Sequence, residues 1–329
     1  MLALLAWLTC ATSTSVTPAL ASRGDQQPEY VACVAACERD SCERSAAPTS
    51  ARVLGLVEWP CPDECRYTCM HAVEAARVAR GEAPPAYQYH GKWPFARAWG
   101  VQEPLSALFS LMNAAPNAYY LAARASRFAP REDDPTTRVS ALAASAVALA
   151  TWASSFLFHA KETWLTERLD YHMAMVHVCA SLQFAVTRLL VAARASVRWA
   201  WALALVQALG MARHVWYMNF VAFDYGHNTR VLGAVVAAQA GVWAAWYALV
   251  TRRASAPPAP HAALVLWFQL GLLASASLEL VDFPPLARAV DAHALWHLAT
   301  VPLTVLWYRF SERDAAWRVR VRGTRKRVM

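Results

Sequence analysis

From residue 97 onward the chain is a succession of apolar stretches of about 20 residues, the length an α-helix needs to cross a bilayer. Seven can be counted, near residues 100–123, 138–159, 169–191, 198–220, 231–251, 261–281 and 289–308. The fold class that follows is an all-α membrane protein, a seven-transmembrane helix bundle. The first stretch is the weakest, because Pro104, Asn113, Pro116 and Asn117 interrupt it. Composition agrees: with 57% hydrophobic residues and 15 Trp, the chain holds more apolar surface than one soluble core needs.

The net charge of +8 does not point to nucleic acid, because the arginines are scattered through short loops and a tail and form no single stripe. Positive-inside topology accounts for them better. Arg124, Arg127, Arg131 and Arg138 flank the first connection, Arg194 and Arg198 the third, and Arg252 and Arg253 the fifth. The tail adds Arg309, Arg313, Arg318, Arg320, Arg322, Arg325, Lys326 and Arg327. These ends are expected in the cytosol; contact of the tail with anionic lipid is one account of its charge, and topology anchoring is the simpler one. The second, fourth and sixth connections carry balanced or acidic sets such as Lys161, Glu162, Glu167 and Arg168, and are expected in the lumen. Seven spans then join a luminal N-terminus to a cytosolic C-terminus.

Residues 1–21 read as a signal peptide: an apolar run from Leu2 to Leu8, then small residues around Ala19-Leu20-Ala21. The run lacks a basic start, so an uncleaved anchor is the alternative. Cysteine usage fits the secretory route. Cys33, Cys37, Cys42, Cys61, Cys65 and Cys69 cluster in a 22–96 luminal region, and an even cluster in an oxidising compartment reads as disulfides. Their spacings lie near one helical turn, so two short helices facing each other are expected, with the pairing open. A zinc cluster is the rival reading, but the paired C-x2-C knuckles of common zinc modules are missing. Cys179, inside a hydrophobic stretch, reads as a small core residue. The expected organisation is completed by the bundle over 97–308 and a basic cytosolic tail over 309–329.

Threading the seven spans alternately brings chemistry to one membrane face. His159 ends the second span at the lumen, Asp170 opens the third there, and His293 and His297 lie in the first luminal turns of the seventh. Ser155 and His159 are four residues apart, as are His293 and His297, so each pair shares a helix face. A single intramembrane histidine is more often a helix cap or a bundle hydrogen-bonding group. Two such pairs beside a carboxylate are a different matter, because ionisable residues at this depth are costly and tend to be functional. Three imidazoles plus a water is how catalytic zinc is often held. His159, His293 and His297 are therefore the expected metal ligands, with Ser155 and Asp170 beside them.

Other polar groups near this face are less specific. His172, Asp224, His227, Glu279, Asp282 and Asp291 read as partners that orient the ligands or, mostly, as ordinary loop polars. His177 and His214 read as structural. Lys92, Trp93, Phe95 and Arg97 read either as an interfacial anchor or as the lead into the first span.

Several strings together carry a resemblance: Tyr89-His90-Gly91-Lys92-Trp93-Pro94-Phe95, Ser155 with His159, Asp170-Tyr171, Phe223-Asp224-Tyr225-Gly226, Asp282-Phe283-Pro284-Pro285, and Asp291-Ala292-His293-Ala294-Leu295-Trp296-His297. The chain resembles the Per1-like family, the post-GPI attachment to proteins factor 3 group. That family is similar to alkaline ceramidases and adiponectin-receptor-type proteins, seven-helix membrane proteins with a Ser, an Asp and three His. The resemblance implies that His159, His293 and His297 bind Zn2+ and that Ser155 and Asp170 surround its water. It also implies removal of the sn-2 acyl chain from the phosphatidylinositol part of GPI-anchored proteins, a phospholipase A2-type reaction in the Golgi or endoplasmic reticulum.

The residues suit that chemistry on their own terms. Zinc brings the pKa of its water to about 7, so an ester can be attacked without a strong base. Asp170 is placed to hold or deprotonate that water, and Ser155 to donate to a developing oxyanion. A nucleophilic Ser155 lacks an activating histidine once all three bind metal. Rival readings are a non-enzymatic zinc-containing receptor or chaperone, an intramembrane ceramide amidase, and a metal transporter. The transporter is disfavoured because the ligands gather at one leaflet with no polar trail to the other side.

Overall fold

The computed structural model describes residues 22–43, 57–82, 86–125, 135–252, 258–279 and 281–328. The expected signal peptide lies outside the described residues, as do Arg127, Arg131 and Arg253 of the basic loops. Among the described residues the chain is helical, with isolated bridges and no strand. Two helices of the cysteine region, α1 (Pro28–Cys37) and α2 (Cys61–Ala79), precede seven further helices among the described residues. These are α3 (Pro104–Ala125), α4 (Pro135–Ala160), α5 (Trp164–Ala193), α6 (Arg198–Phe220), α7 (Tyr225–Thr251), α8 (Ala262–Glu279) and α9 (Ala292–Val328).

The cysteine spacing explains the first lobe. Cys33, Cys37 and Cys42 on one side pair with Cys69, Cys65 and Cys61 on the other, a nested antiparallel ladder of three disulfides. Cys61, Cys65 and Cys69 follow a regular four-residue step on α2. The step from Cys37 to Cys42 is five, and there the chain widens into a π-helical turn over Glu38–Cys42. A wider turn carries the extra residue while keeping the third sulfur on the same face. Oxidised sulfurs leave no thiolate for a metal, so the disulfide reading stands over the zinc cluster.

Among the long helices, α4, α5, α7 and α8 are long and apolar enough to cross a membrane by length and composition. The outer surface suits lipid: Trp201, Leu209 and Phe220 on α6 and Trp267 and Leu273 on α8 are all more than half exposed. The core where α5, α7 and α9 meet is aromatic, with Phe184, Trp243, Trp246 and Phe310 buried and packed in tilted or edge-to-face pairs, and α8 adds Ala262 and Val265.

α9 does not stop near residue 308, where the last apolar stretch ends. It continues to Val328, because Phe310, Asp314 and Trp317 still point into the protein. There Arg188 of α5 donates two hydrogen bonds, at 2.7 and 2.8 Å, to the Asp314 carboxylate.

A second departure from the sequence reading is a polar trail along α3 and α9. Asn113 donates to the His297 carbonyl at 2.9 Å and accepts from Thr304 at 3.1 Å, Asn117 donates to the Asn113 carbonyl at 2.8 Å, and Tyr308 donates to Asn117. From His297 to Tyr308 this covers about 16 Å at 1.5 Å per residue. The trail is made of neutral, hydrogen-bonded groups that tie α3 to α9, the usual work of Asn and Thr between membrane helices. The same Asn113 and Asn117 that weaken the hydropathy of α3 therefore secure it in the bundle.

The cysteine lobe sits on the end of the bundle where α4 ends and α9 begins. Two tight turns make the link. His90 and Gly91, at φ 50° and 81°, and Trp99 and Gly100, at φ 51° and 79°, occupy the left-handed pairs that type I′ turns require, and glycine fills the second position of each. Beyond them, Gln102 and Glu103 donate their backbone N–H groups to the carbonyls of Ala160 and His159, and Ala96 donates to Arg288. Lys92, Trp93, Phe95 and Arg97 all make contacts within the protein. Phe95 is buried, Trp93 donates to Asp282 at 2.6 Å, Lys92 bonds Glu103, and Arg97 pairs with Glu64 while lying over Trp59.

Candidate metal centre

Two helix ends present the histidines. On α4, Ser155 and His159 lie one turn apart at its terminal end, and both are buried. On α9, Asp291 caps the helix by accepting from the Ala294 backbone N–H at 2.7 Å, a typical N-cap. This is the physical content of the Asp-x-His-x-x-x-His string: the aspartate fixes where the helix starts, so His293 and His297 fall on consecutive turns of one face. The three rings meet, with centroids of His159 4.9 Å from His297 and 5.2 Å from His293.

Each imidazole is held at Nδ1 by a different group. Glu103 approaches His159 Nδ1 at 2.7 Å, Glu279 approaches His293 Nδ1 at 2.8 Å, and Ser110 approaches His297 Nδ1 at 3.1 Å. Ionised carboxylates only accept, so neutral His159 and His293 must carry the proton on Nδ1 and turn an Nε2 lone pair inward. Ser110 supports the same tautomer of His297 when its oxygen accepts. His159 Nε2 is buried with no hydrogen-bond partner among the described residues, and His293 Nε2 and His297 Nε2 stand 3.0 Å apart. The 3.0 Å contact is a hydrogen bond when one of the two rings carries a proton on Nε2, and a pair of ligand atoms when neither does. The ligand atoms of the three residues fall within 4.8 Å of one another, so this group can hold a metal ion.

Asp170, on the second turn of α5, lies beside Ser155 and faces His159 and His293. Ser155 in turn receives a hydrogen bond from Ser110 at 3.2 Å. All five residues singled out in the sequence therefore come together.

Three contributors were missed or undervalued in the sequence. Glu103 and Ser110, at the start of α3, carry no motif and become visible only when α3 packs on α4 and α9. Glu279, which the sequence leaves open between a ligand-orienting partner and a loop polar, holds His293 at 2.8 Å and accepts from Tyr225 at 3.0 Å. Of the others, Asp224 caps α7 through the His227 N–H, and Asp282 receives Trp93. His172 bonds Asn219, and His214 stacks on His227 with centroids 5.4 Å apart. Outside the bundle, burial disfavours the Lys92 ammonium, but Glu103 and Glu162 outweigh it and hold its pKa above the ordinary lysine value.

The comparison with known proteins falls on the same residues. The pattern of the Per1-like family matches residues 51–315, from inside the cysteine lobe to beyond both α9 histidines. The chain belongs to the Per1-like family. Its relatives include the "GPI-specific phospholipase A2-like PGAP3" of Danio rerio, 35% identical over 89% of this chain and 90% of that protein. The protein of that name from Homo sapiens is 34% identical over 90% of each chain. The "Post-GPI attachment to proteins factor 3" of Drosophila melanogaster is also 34% identical over 90% of each. The family match spans both α2 of the cysteine lobe and the histidine site.

Proposed function

We propose that the chain is a zinc-dependent intramembrane acyl-ester hydrolase that removes the sn-2 acyl chain from the phosphatidylinositol of GPI-anchored proteins. It acts in the membrane of the Golgi or endoplasmic reticulum, with seven spans, a luminal cysteine lobe and a cytosolic C-terminus. The observation that carries the reading is the convergence of three Nδ1-anchored imidazoles beside the Ser155–Asp170 pair. The names of the relatives support the substrate class.

His159, His293 and His297 would hold the zinc through Nε2, and the ion when bound polarises water and ester carbonyl. Asp170 takes the proton of the attacking water as the oxygen adds to the carbonyl carbon. Protonated Asp170 then becomes the donor to Ser155, which frees the Ser155 hydrogen for the developing oxyanion. Collapse breaks the bond to the sn-2 oxygen, which recovers the proton from Asp170, leaving a free fatty acid and a lysolipid. Glu103, Glu279 and Ser110 keep the rings aligned throughout. The site spans the last turn of α4 and the first two turns of α9, near the depth of an acyl ester just below the headgroups.

The test is to purify the protein in detergent, measure bound zinc, and follow fatty-acid release from a glycosylated diacyl phosphatidylinositol. Wild type should contain one zinc and release the acid, and His293→Ala and His297→Ala should lose both. Folded wild type without zinc would overturn the reading.

A further inference from the structure

Between the cysteine lobe and the bundle lies a cavity of about 390 Å³ that the site described above does not use. Its walls combine two kinds of group. Aromatic side chains come from both bodies: Trp59 and Tyr67 from the lobe, Trp93 from the link and Trp164 from the first turn of α5. Between them stand planar polar groups, including Asp63, Arg97, Gln102, Glu103, Glu162 and Glu167.

The three cations of the wall are each engaged by carboxylates, which outnumber them. Lys92 bridges Glu103 and Glu162 at 2.6 and 3.0 Å, Arg66 pairs with Asp63 at 3.0 Å, and Arg97 pairs with Glu64 at 2.8 Å. No cation of the wall is left over for an anionic ligand, while carboxylates such as Glu162 and Glu167 keep lone pairs that can accept from hydroxyl groups. Arg97 covers one face of Trp59 and of Tyr67. Trp164 has Arg168 over its ring, yet it is 67% exposed. Trp93 is fixed by its bond to Asp282. An aromatic face beside carboxylate acceptors suits a ligand with C–H surfaces on one side and hydroxyl groups around its edge, which is a pyranose.

The position is as informative as the lining. Glu103 borders the cavity with Oε1 on Lys92 and reaches the metal centre with Oε2 on His159. One carboxylate thus separates the cavity from the histidines.

We infer that this cavity binds the saccharide of the substrate headgroup, with Trp164 and Trp93 as its stacking platforms, while the acyl ester enters the histidine site below. The inference rests on the hydrolase reading for its substrate, and it locates substrate selection in the contact between lobe and bundle. Sugar bound away from the reacting ester would contribute to catalysis as remote binding energy.

The test uses the full chain in detergent and two measurements. The first is binding of the water-soluble headgroup, an inositol phosphate bearing hexose and hexosamine residues, followed by tryptophan fluorescence. The second is the ratio of kcat/KM for a glycosylated diacyl phosphatidylinositol to that for phosphatidylinositol itself. Trp164→Ala should weaken headgroup binding and lower the ratio, each about tenfold, with Trp164→Phe recovering most of it. Trp201→Ala, on the lipid-facing side of α6, should change neither. A ratio that Trp164→Ala leaves untouched, or headgroup binding absent in the wild type, overturns the saccharide site even if the fatty acid is still released. Headgroup binding lost in Trp164→Ala, together with no fatty-acid release by any form, supports the saccharide site and overturns the hydrolase reading instead.

Discussion

Glu103 Oε2 lies 2.7 Å from His159 Nδ1, joining the link that carries the cysteine lobe to the ring that ends α4. A carboxylate on the far nitrogen fixes a histidine's tautomer and raises its basicity as a ligand. Glu103→Gln removes that charge while keeping the shape. It should weaken zinc affinity by about 10- to 100-fold, read by competition with a chromophoric chelator, with helix content unchanged.

Ser110 touches both His297 and Ser155, at 3.1 and 3.2 Å. Ser110→Ala should lower fatty-acid release by about tenfold, because His297 loses its orienting contact. Ser110→Thr, which keeps the hydroxyl, should retain more activity than Ser110→Ala in the same assay.

The disulfide ladder makes a mapping prediction. Digestion under non-reducing conditions should yield the pairs Cys33–Cys69, Cys37–Cys65 and Cys42–Cys61. Replacing Cys37 and Cys65 together with Ser removes the middle rung and should cost about 2–4 kcal/mol, seen as earlier proteolysis of the lobe.

Arg188 and Asp314 are both buried, and the pair fastens the extension of α9 to α5. Asp314→Leu alone should destabilise the bundle by about 3–5 kcal/mol, because it leaves a buried cation without its partner. Arg188→Met with Asp314→Leu should recover most of that loss in thermal unfolding.

His71 Nε2 lies 3.0 Å from the Phe95 carbonyl, to which it donates, while Nδ1 faces Arg288 at 3.4 Å and accepts. Burial, helped by Arg288 and Arg97, lowers its pKa below the ordinary 6.5. A histidine with a lowered folded pKa contributes stability above its unfolded value and loses it as pH falls through the folded one. Acidification from about pH 7 to about pH 5 should therefore loosen the lobe from the 286–290 turn, measured as faster proteolysis. His71→Gln, which can donate and accept in the same places, should flatten that pH dependence.

The helical architecture and four of the site residues were legible because they rest on local periodicity, and Asp170 because it opens a span at the same face. Twenty-residue apolar runs, the four-residue steps of Ser155–His159 and His293–His297, and the cysteine rhythm are all properties of one helix at a time. Glu103 and Ser110 were not legible, since nothing in their own segment distinguishes them from the polar residues that interrupt a weak span. The polar trail was hidden for the same reason: Asn113 and Asn117 look like defects in α3 until Thr304 and Tyr308 of α9 are set against them.

The sequence by itself determined the repertoire: long apolar helices, an oxidised cysteine lobe, and histidines paired at helical spacing near helix ends. Those follow from backbone geometry and hydropathy, which act within a segment. Tertiary structure decided which sulfurs pair, which acid holds which imidazole, how far α9 runs past its apolar stretch, and that a cavity forms where the lobe meets the bundle. These depend on contacts between residues as far apart as Ser110 and His297, whose meeting is set by how whole helices pack rather than by the residues beside them.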